Sequence, residues 1–211
     1  MQRPTPLFVF HSSRGGRTRF HVVGEAYRRR LMTVAVVVLA AFVLAFAAPV
    51  QAQGQAAEEH EVKAAFLYNF TKFVEWPRGA FRDDGAPVVV GVFGPDPFGA
   101  ALDEIVAGKV AGERPFVIRR LDSSDGLAEC HVLFVSSAKA AEFVRLLPSL
   151  AHRPILTLGE TDRFCESGGV VQFVMRQRKV RFRINVTAAE RAGLKISSRL
   201  LDLAEVVRQS P

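Results

Sequence analysis

Cysteine is scarce in this chain of 211 residues: there are two, Cys130 and Cys165. They stand 35 positions apart without a clustered histidine pair, which argues against a zinc site. Histidine is scarce as well; beyond residue 52 only His60, His131 and His152 occur. No G-x-S-x-G elbow or S-x-x-K motif is present, and no glycine-rich loop has the lysine of a phosphate loop. The adjacent carboxylates Asp83-Asp84 and Asp103-Glu104 fall in a loop and on a helix surface. Nothing gathers a nucleophile and a base, so catalysis, a metal and a cofactor are all unsupported. There is one tryptophan, Trp76, and no long linker, repeat or low-complexity block.

Net charge is also scarce once its source is found. The whole chain carries +7, but residues 1–52 hold seven arginines and one glutamate, so the remainder carries +1. A nucleic-acid partner loses its electrostatic argument. Those 52 residues read as a secretory signal peptide with a long basic n-region. Leu31 to Ala48 is apolar apart from Thr33, and Val50-Gln51-Ala52 is a small-residue cleavage pattern. The rival reading is an uncleaved membrane anchor, since the apolar run is long enough to span; Pro49 and the Val-Gln-Ala end favour cleavage after Ala52. No cysteine follows the run, which excludes a lipoprotein anchor. Residues 53–60 form a polar leader, and residues 61–211 are long enough for one domain.

That domain opens with Glu61 to Pro77. Val62, Ala65, Phe66, Asn69, Phe70, Phe73 and Val74 follow helical spacing, which predicts a helix stopped by Pro77, with Lys63 and Lys72 on the far side. Apolar runs at Pro87–Phe93, Phe116–Ile118, His131–Val135 and Pro154–Leu158 predict buried strands. Helices are expected after Asp96-Pro97, with Asp96 as N-cap, and from Ser136-Ser137 to Leu147. Val170–Met175 and Val180–Val186 read as hairpin arms around Arg176–Lys179. Thr187 is the expected cap of a short helix ended by Gly193, and Ile196 to Val207 the expected closing helix. The sum is an α/β sandwich. Its sheet is mixed, mainly parallel and of about six strands, with helices on both faces and a C-terminal β-hairpin plus helix.

Candidate binding residues follow from position. Gly94, Ser136, Ser137, Gly159 and Glu160 sit after strands, where an open parallel sheet forms a crevice for a small ligand; ordinary turn chemistry explains them as well. Asn69, Lys72, Glu75 and Trp76 place polar and aromatic groups at the end of the first helix, either as a partner surface or as a closure of the core. Arg181 and Arg183 belong to the densest basic stretch, either a surface for an acidic partner or a solvated, blunted strand. His131 reads as a strand-end residue. Cys130 and Cys165 form a candidate disulfide in an exported chain, or two buried thiols.

KAAFLYNFTKFVEWP resembles the opening signature of the YfiR-like family of periplasmic proteins. GVFGPDPFGAALD, GKVAGERPFVIRRL, CHVLFVSS, RPILTLGE, ESGGVVQFV and VRFRINVTAAERAGLKISSRLL follow in that family's order, over roughly Glu58 to Val207. The resemblance implies a periplasmic regulator, not an enzyme. Such a protein represses an inner-membrane diguanylate cyclase through its periplasmic sensor region and so lowers cyclic di-GMP and biofilm formation. A homodimer and a small ligand are further candidate partners. The alternative is a periplasmic small-molecule-binding protein without a cyclase.

Overall fold

The computed structural model describes residues 58–208. The segment read as a signal peptide, and the leader up to residue 57, lie outside them. Helix α1 covers residues 58–70, so the last three leader residues form its first turn. Its buried face is Lys63, Ala64, Leu67 and Phe70, one residue out of phase with the expected face. Val62 is 40% exposed and Asn69 is exposed. The helix also stops at residue 70, not at Pro77. Thr71 Oγ1 donates to Tyr68 O at 2.6 Å, a local bond that competes with helix continuation. Val74–Glu75 then form strand β1, paired antiparallel with β9, Lys195–Ile196.

The main sheet has eight strands: β2 (Val88–Phe93), β3 (Val110–Ala111), β4 (Arg114–Leu121), β5 (Val132–Val135), β6 (Leu156–Gly159), β7 (Val171–Arg176), β8 (Lys179–Asn185) and β10 (Glu205–Val207). Their spatial order is β10-β8-β7-β6-β5-β2-β4-β3. Strands β4, β2, β5, β6 and β7 are parallel, whereas β3 and β8 run antiparallel to their neighbours β4 and β7. The parallel core is thus doubly wound, with the chain reversing its direction of travel at the β2/β5 junction. The helices are α2 (Ala100–Val106), α3 (Ala140–Leu150), α4 (Val186–Arg191) and α5 (Ser198–Leu201).

One face of β2 and β5 presents Val88, Val90, Val92, Val132 and Phe134 to α1, α2 and α4; the other presents Val89, Phe93, Leu133 and Val135 to α3. Both faces are dry, which is why these strands read as unbroken apolar runs. Phe70 packs edge-on against Phe182 with ring centroids 5.0 Å apart, and so ties α1 to the hairpin. The α/β class, the mixed sheet and the helices on both faces are as the sequence implies.

Four details differ. Asp96 does not cap α2: its Oδ1 accepts from Phe98 N at 2.7 Å in a preceding turn, and the cap position is Gly99. Asn185, not Thr187, caps α4 by accepting from Ala188 N. The closing helix is a single turn, α5, followed by the parallel strand β10. The sequence count of about six strands omitted the short pairs β1/β9 and the edge strands β3 and β10.

The hairpin is tighter than its sequence suggests. Arg176 pairs with Lys179, leaving Gln177 and Arg178 as the two loop residues, at φ 49° and 62°. Positive φ at both central positions suits the right-handed twist of the flanking strands.

Candidate functional site

The carboxyl ends of the parallel strands do not form one crevice. At the β2/β5 switch point Gly94 and Ser136 are both buried, and a Cβ at Gly94 would fall 2.4 Å from Ser136 Oγ and 2.5 Å from Lys139 Cγ. Lys139 lies across this point, with its ammonium 5.0 Å from the Phe93 ring centroid and 2.7 Å from Glu142. The switch point is therefore plugged. Gly159 is packed beneath Phe164.

Ser137 and Glu160 are brought together, and they open on a different cleft. Ser137 Oγ donates to Glu160 Oε1 at 3.3 Å. The cleft, of about 690 Å³, lies between the start of α1, the segment after β6, and strands β7 and β8. Its central group is Lys63, only 4% exposed, whose Nζ lies 2.7 Å from Glu160 and 2.5 Å from Glu59. Burial pushes the ammonium down, but the hydrogen bonds it donates to Glu160 and Glu59 and their charges outweigh it and hold it above its ordinary value. Sequence reasoning placed Lys63 on the solvent side. The available signal was Ala64, Leu67 and Phe70 at helical spacing behind it, with Glu59 one turn before.

Asn69 is exposed at the end of α1, Lys72 in the turn after it and Glu75 in β1, and the Lys72 ammonium lies 4.2 Å from the Tyr68 ring centroid. Trp76 is half-buried, with its ring edge-on to Phe81 at 6.0 Å. Its Nε1 is buried without a hydrogen-bond partner among the described residues. On the hairpin Arg181 is exposed, whereas Arg183 is engaged internally: its guanidinium donates to Glu166 at 2.7 Å, Glu205 at 3.1 Å and Gln172 at 3.3 Å. Arg183 thereby clamps edge strand β10 onto β8.

Cys130 and Cys165 do not pair. Cys130 lies against Gly91 of β2, while Cys165 contacts Val170 O and Arg183 O beside β7 and β8. Cys130 precedes β5 at the amino-terminal edge of the parallel strands, whereas Cys165 follows β6 beyond their carboxyl edge, so the two thiols lie at opposite ends of the sheet. Burial pushes the Cys130 thiol up to about 11 and the Cys165 thiol up to about 12. An alkylating reagent near neutral pH is expected to label neither in the folded protein and both after denaturation, as read by intact mass. Labelling of the native protein at either position would contradict this packing.

No group of three or more His, Cys, Asp or Glu side chains gathers to hold a metal among the described residues. No described helix is long and apolar enough to cross a membrane. The site therefore offers charged clefts and exposed surfaces around a filled core. The family described as YfiR/HmsC-like matches residues 60–205. The chain belongs to that family. The match begins in α1 and ends at the start of β10, so it takes in every element that builds the cleft and the α1 end. The family is one of periplasmic regulators rather than enzymes. Among solved structures, the ABC domain in complex with L-Trp from Streptococcus pneumoniae is similar at 14% identity and TM-score 0.46, over 68% of this chain and 60% of that one. A conserved domain protein from Vibrio cholerae is similar at 13% identity and TM-score 0.42, over 58% of this chain and 55% of that one. The chain thus spans under two thirds of either protein, and neither likeness carries a functional inference.

Proposed function

We propose that the protein binds the periplasmic sensor region of an inner-membrane diguanylate cyclase and holds that cyclase inactive, which lowers cyclic di-GMP and biofilm formation. The observation that carries the reading is the family match across residues 60–205. The contact surface in this reading is the α1 end, Asn69, Lys72, Glu75 and Trp76, together with Arg181 of the hairpin. Arg183 contributes by positioning the hairpin. Repression requires tighter binding to the inactive receptor than to the active one. Moving a receptor from 1:99 to 99:1 takes a preference of about 10⁴-fold.

Export completes the reading, with the signal peptide cleaved after Ala52 and residues 61–211 as the working domain. Intact mass of the native protein should start at Gln53; retention of Leu31–Ala48 would overturn it. Binding is tested by titrating the purified mature protein with the purified periplasmic regions of the inner-membrane diguanylate cyclases of the same cell. Saturable binding, weakened by Trp76→Ala and by Lys72→Glu, is expected. No binding by any such region would contradict the proposal.

A second reading is a periplasmic small-molecule-binding protein. The observation favouring it is the cleft of about 690 Å³ into which Ser137, Glu160 and the buried Lys63 open. Mass spectrometry of the native protein, before and after denaturation, distinguishes the two readings by the presence of a released ligand.

A further inference from the structure

The segment between β1 and β2, residues 77–87, crosses the amino-terminal edge of the parallel sheet and is held there by two side chains. Arg114 of β4 donates to Asp83 O at 2.6 Å and Ala86 O at 2.9 Å, and its guanidinium lies 4.0 Å from the Phe81 ring centroid. His131 holds the segment from the opposite ring face. Its imidazole stacks on Phe81 at 4.2 Å and 11°. Its Nδ1 accepts from Val89 N at 3.1 Å, and its Nε2 lies 3.2 Å from Ala80 O. Both bonds form at once only in one state, the neutral ring with its proton on Nε2. A second proton on Nδ1 would face the Val89 N–H, remove its acceptor and place two donors together.

The surroundings add to this opposition. Residues 77–87 bring Arg82, Asp83 and Asp84 to the same cleft or its rim; β4 brings Arg114 and Arg119; the turn before β5 brings Glu129 and the Cys130 thiol; the segment before β6 brings Arg153. Strand β2 contributes the apolar Val89. Arg119 is already paired with Glu129, and Arg114 lies 3.9 Å from Asp84. Four guanidiniums against three carboxylates leave the surroundings positive. Burial lowers the His131 pKa; the Ala80 bond opposes it with the next largest effect, and the Arg114 charge adds a smaller lowering. The closed segment also covers Trp76, whose indole N–H has no partner there. Opening lets water satisfy that donor, so the closed state is held against a standing cost.

We infer that His131 is a proton-operated latch: the neutral imidazole closes residues 77–87 against the sheet edge, and a second proton on the ring releases them and uncovers Phe81 and Trp76. An exported protein meets the pH of the medium, so acid outside the cell would change the surface beside the α1 end. The inference stands on the His131 contacts alone and does not require the cyclase reading. Because the folded pKa is depressed, the latch contributes fully above the ordinary imidazole value and weakens as pH falls towards the depressed one.

Trp76 is the sole tryptophan, which makes emission a direct reporter. Between about pH 8 and about pH 5, the mature protein should show a red shift with a one-proton midpoint below the ordinary imidazole value. His131→Gln keeps an amide acceptor and donor but cannot gain a charge, and its emission should stay flat over the same range. Flat emission in the unaltered protein, or the same titration in the variant, would overturn the latch. Hydrogen exchange on the unaltered protein decides the matter if the variant fails to fold. Corrected for intrinsic rates, protection of the Val89 amide should fall at the acid end, and equal protection at both ends would refute the inference.

Discussion

Phe164→Ala is expected to destabilise the domain by about 3–5 kcal/mol. Phe164 comes from the segment between β6 and β7 and is 3% exposed. Its ring stacks on Phe143 of α3, with centroids 5.3 Å apart and planes at 14°. Two glycines make its bed. A Cβ at Gly159 would lie 2.5 Å from the ring, and one at Gly169 would lie 2.1 Å from it. Truncation therefore leaves a void between two backbones that have no side chains to fill it. Urea unfolding followed by Trp76 emission should show a lower midpoint at unchanged slope. The reciprocal change, Gly169→Ala, should cost about 1–3 kcal/mol by overpacking, because Phe164 is enclosed on its other face by Phe143. The functional consequence lies in the same segment. It carries Asp162 and Arg163 into the cleft and Glu166 to Arg183, so loosening Phe164 should disturb the cleft wall and the anchor of β10 together. A loss under about 0.5 kcal/mol, the range of an ordinary surface change, would show that Phe164 does not pin the segment.

Lys63→Met is expected to cost about 1–3 kcal/mol. Removing one member of a fully buried ion pair costs more, but the Glu59 and Glu160 side chains keep 29% and 24% of their exposure, and water offsets part of the loss. The variant retains the apolar stem of the lysine and removes only the charge that joins α1 to the end of β6. Lys63→Met combined with Glu160→Gln should cost less than the two changes added, because Glu59 is then the one carboxylate of the pair left facing the buried methionine. The pH dependence has a definite sign. The Lys63 pKa is raised in the fold, so the pair's contribution is full below the ordinary lysine value and is lost as pH rises through the raised one. Stability of the unaltered protein should fall in that alkaline range more steeply than that of Lys63→Met. Parallel curves would show that the ammonium carries no such contribution.

The parallel core was legible because its residues are buried on both faces. Val88 to Phe93 and Val132 to Val135 have no polar member, and a continuous apolar run bounded by turn residues has few other readings. The hairpin was legible from the alternation of Val180, Phe182 and Ile184 with arginines. The misreadings share a physical cause, which is that the deciding partner is remote in sequence. Residues 74–75 fit a helix by periodicity, but their backbone groups pair with residues 195–196. Residues 205–207 fit a helix by composition, but β8 offered an open edge, and Leu203 is left 70% exposed where a closing helix would have buried it.

The candidate site divided in the same way. Ser137 and Glu160 follow strands, and the structure unites them. Gly94 and Ser136 also follow strands and Gly159 ends one, but Lys139 and Phe164 fill the space beside them. Nothing local marks those two side chains as plugs. Lys63 looked like an ordinary surface lysine because Glu160, which makes its burial tolerable, is 97 positions away. His131 read as a strand end because Ala80, one of the groups it holds, is 51 positions away.

The measurement that tests the central reading most directly is cellular cyclic di-GMP in a deletion strain beside a strain complemented with the exported protein. Repression of a membrane cyclase predicts a rise on deletion and a return to the starting level on complementation, with no return when the complementing protein lacks its export segment. Equal cyclic di-GMP in all strains across several growth conditions, including acidic medium, would contradict it.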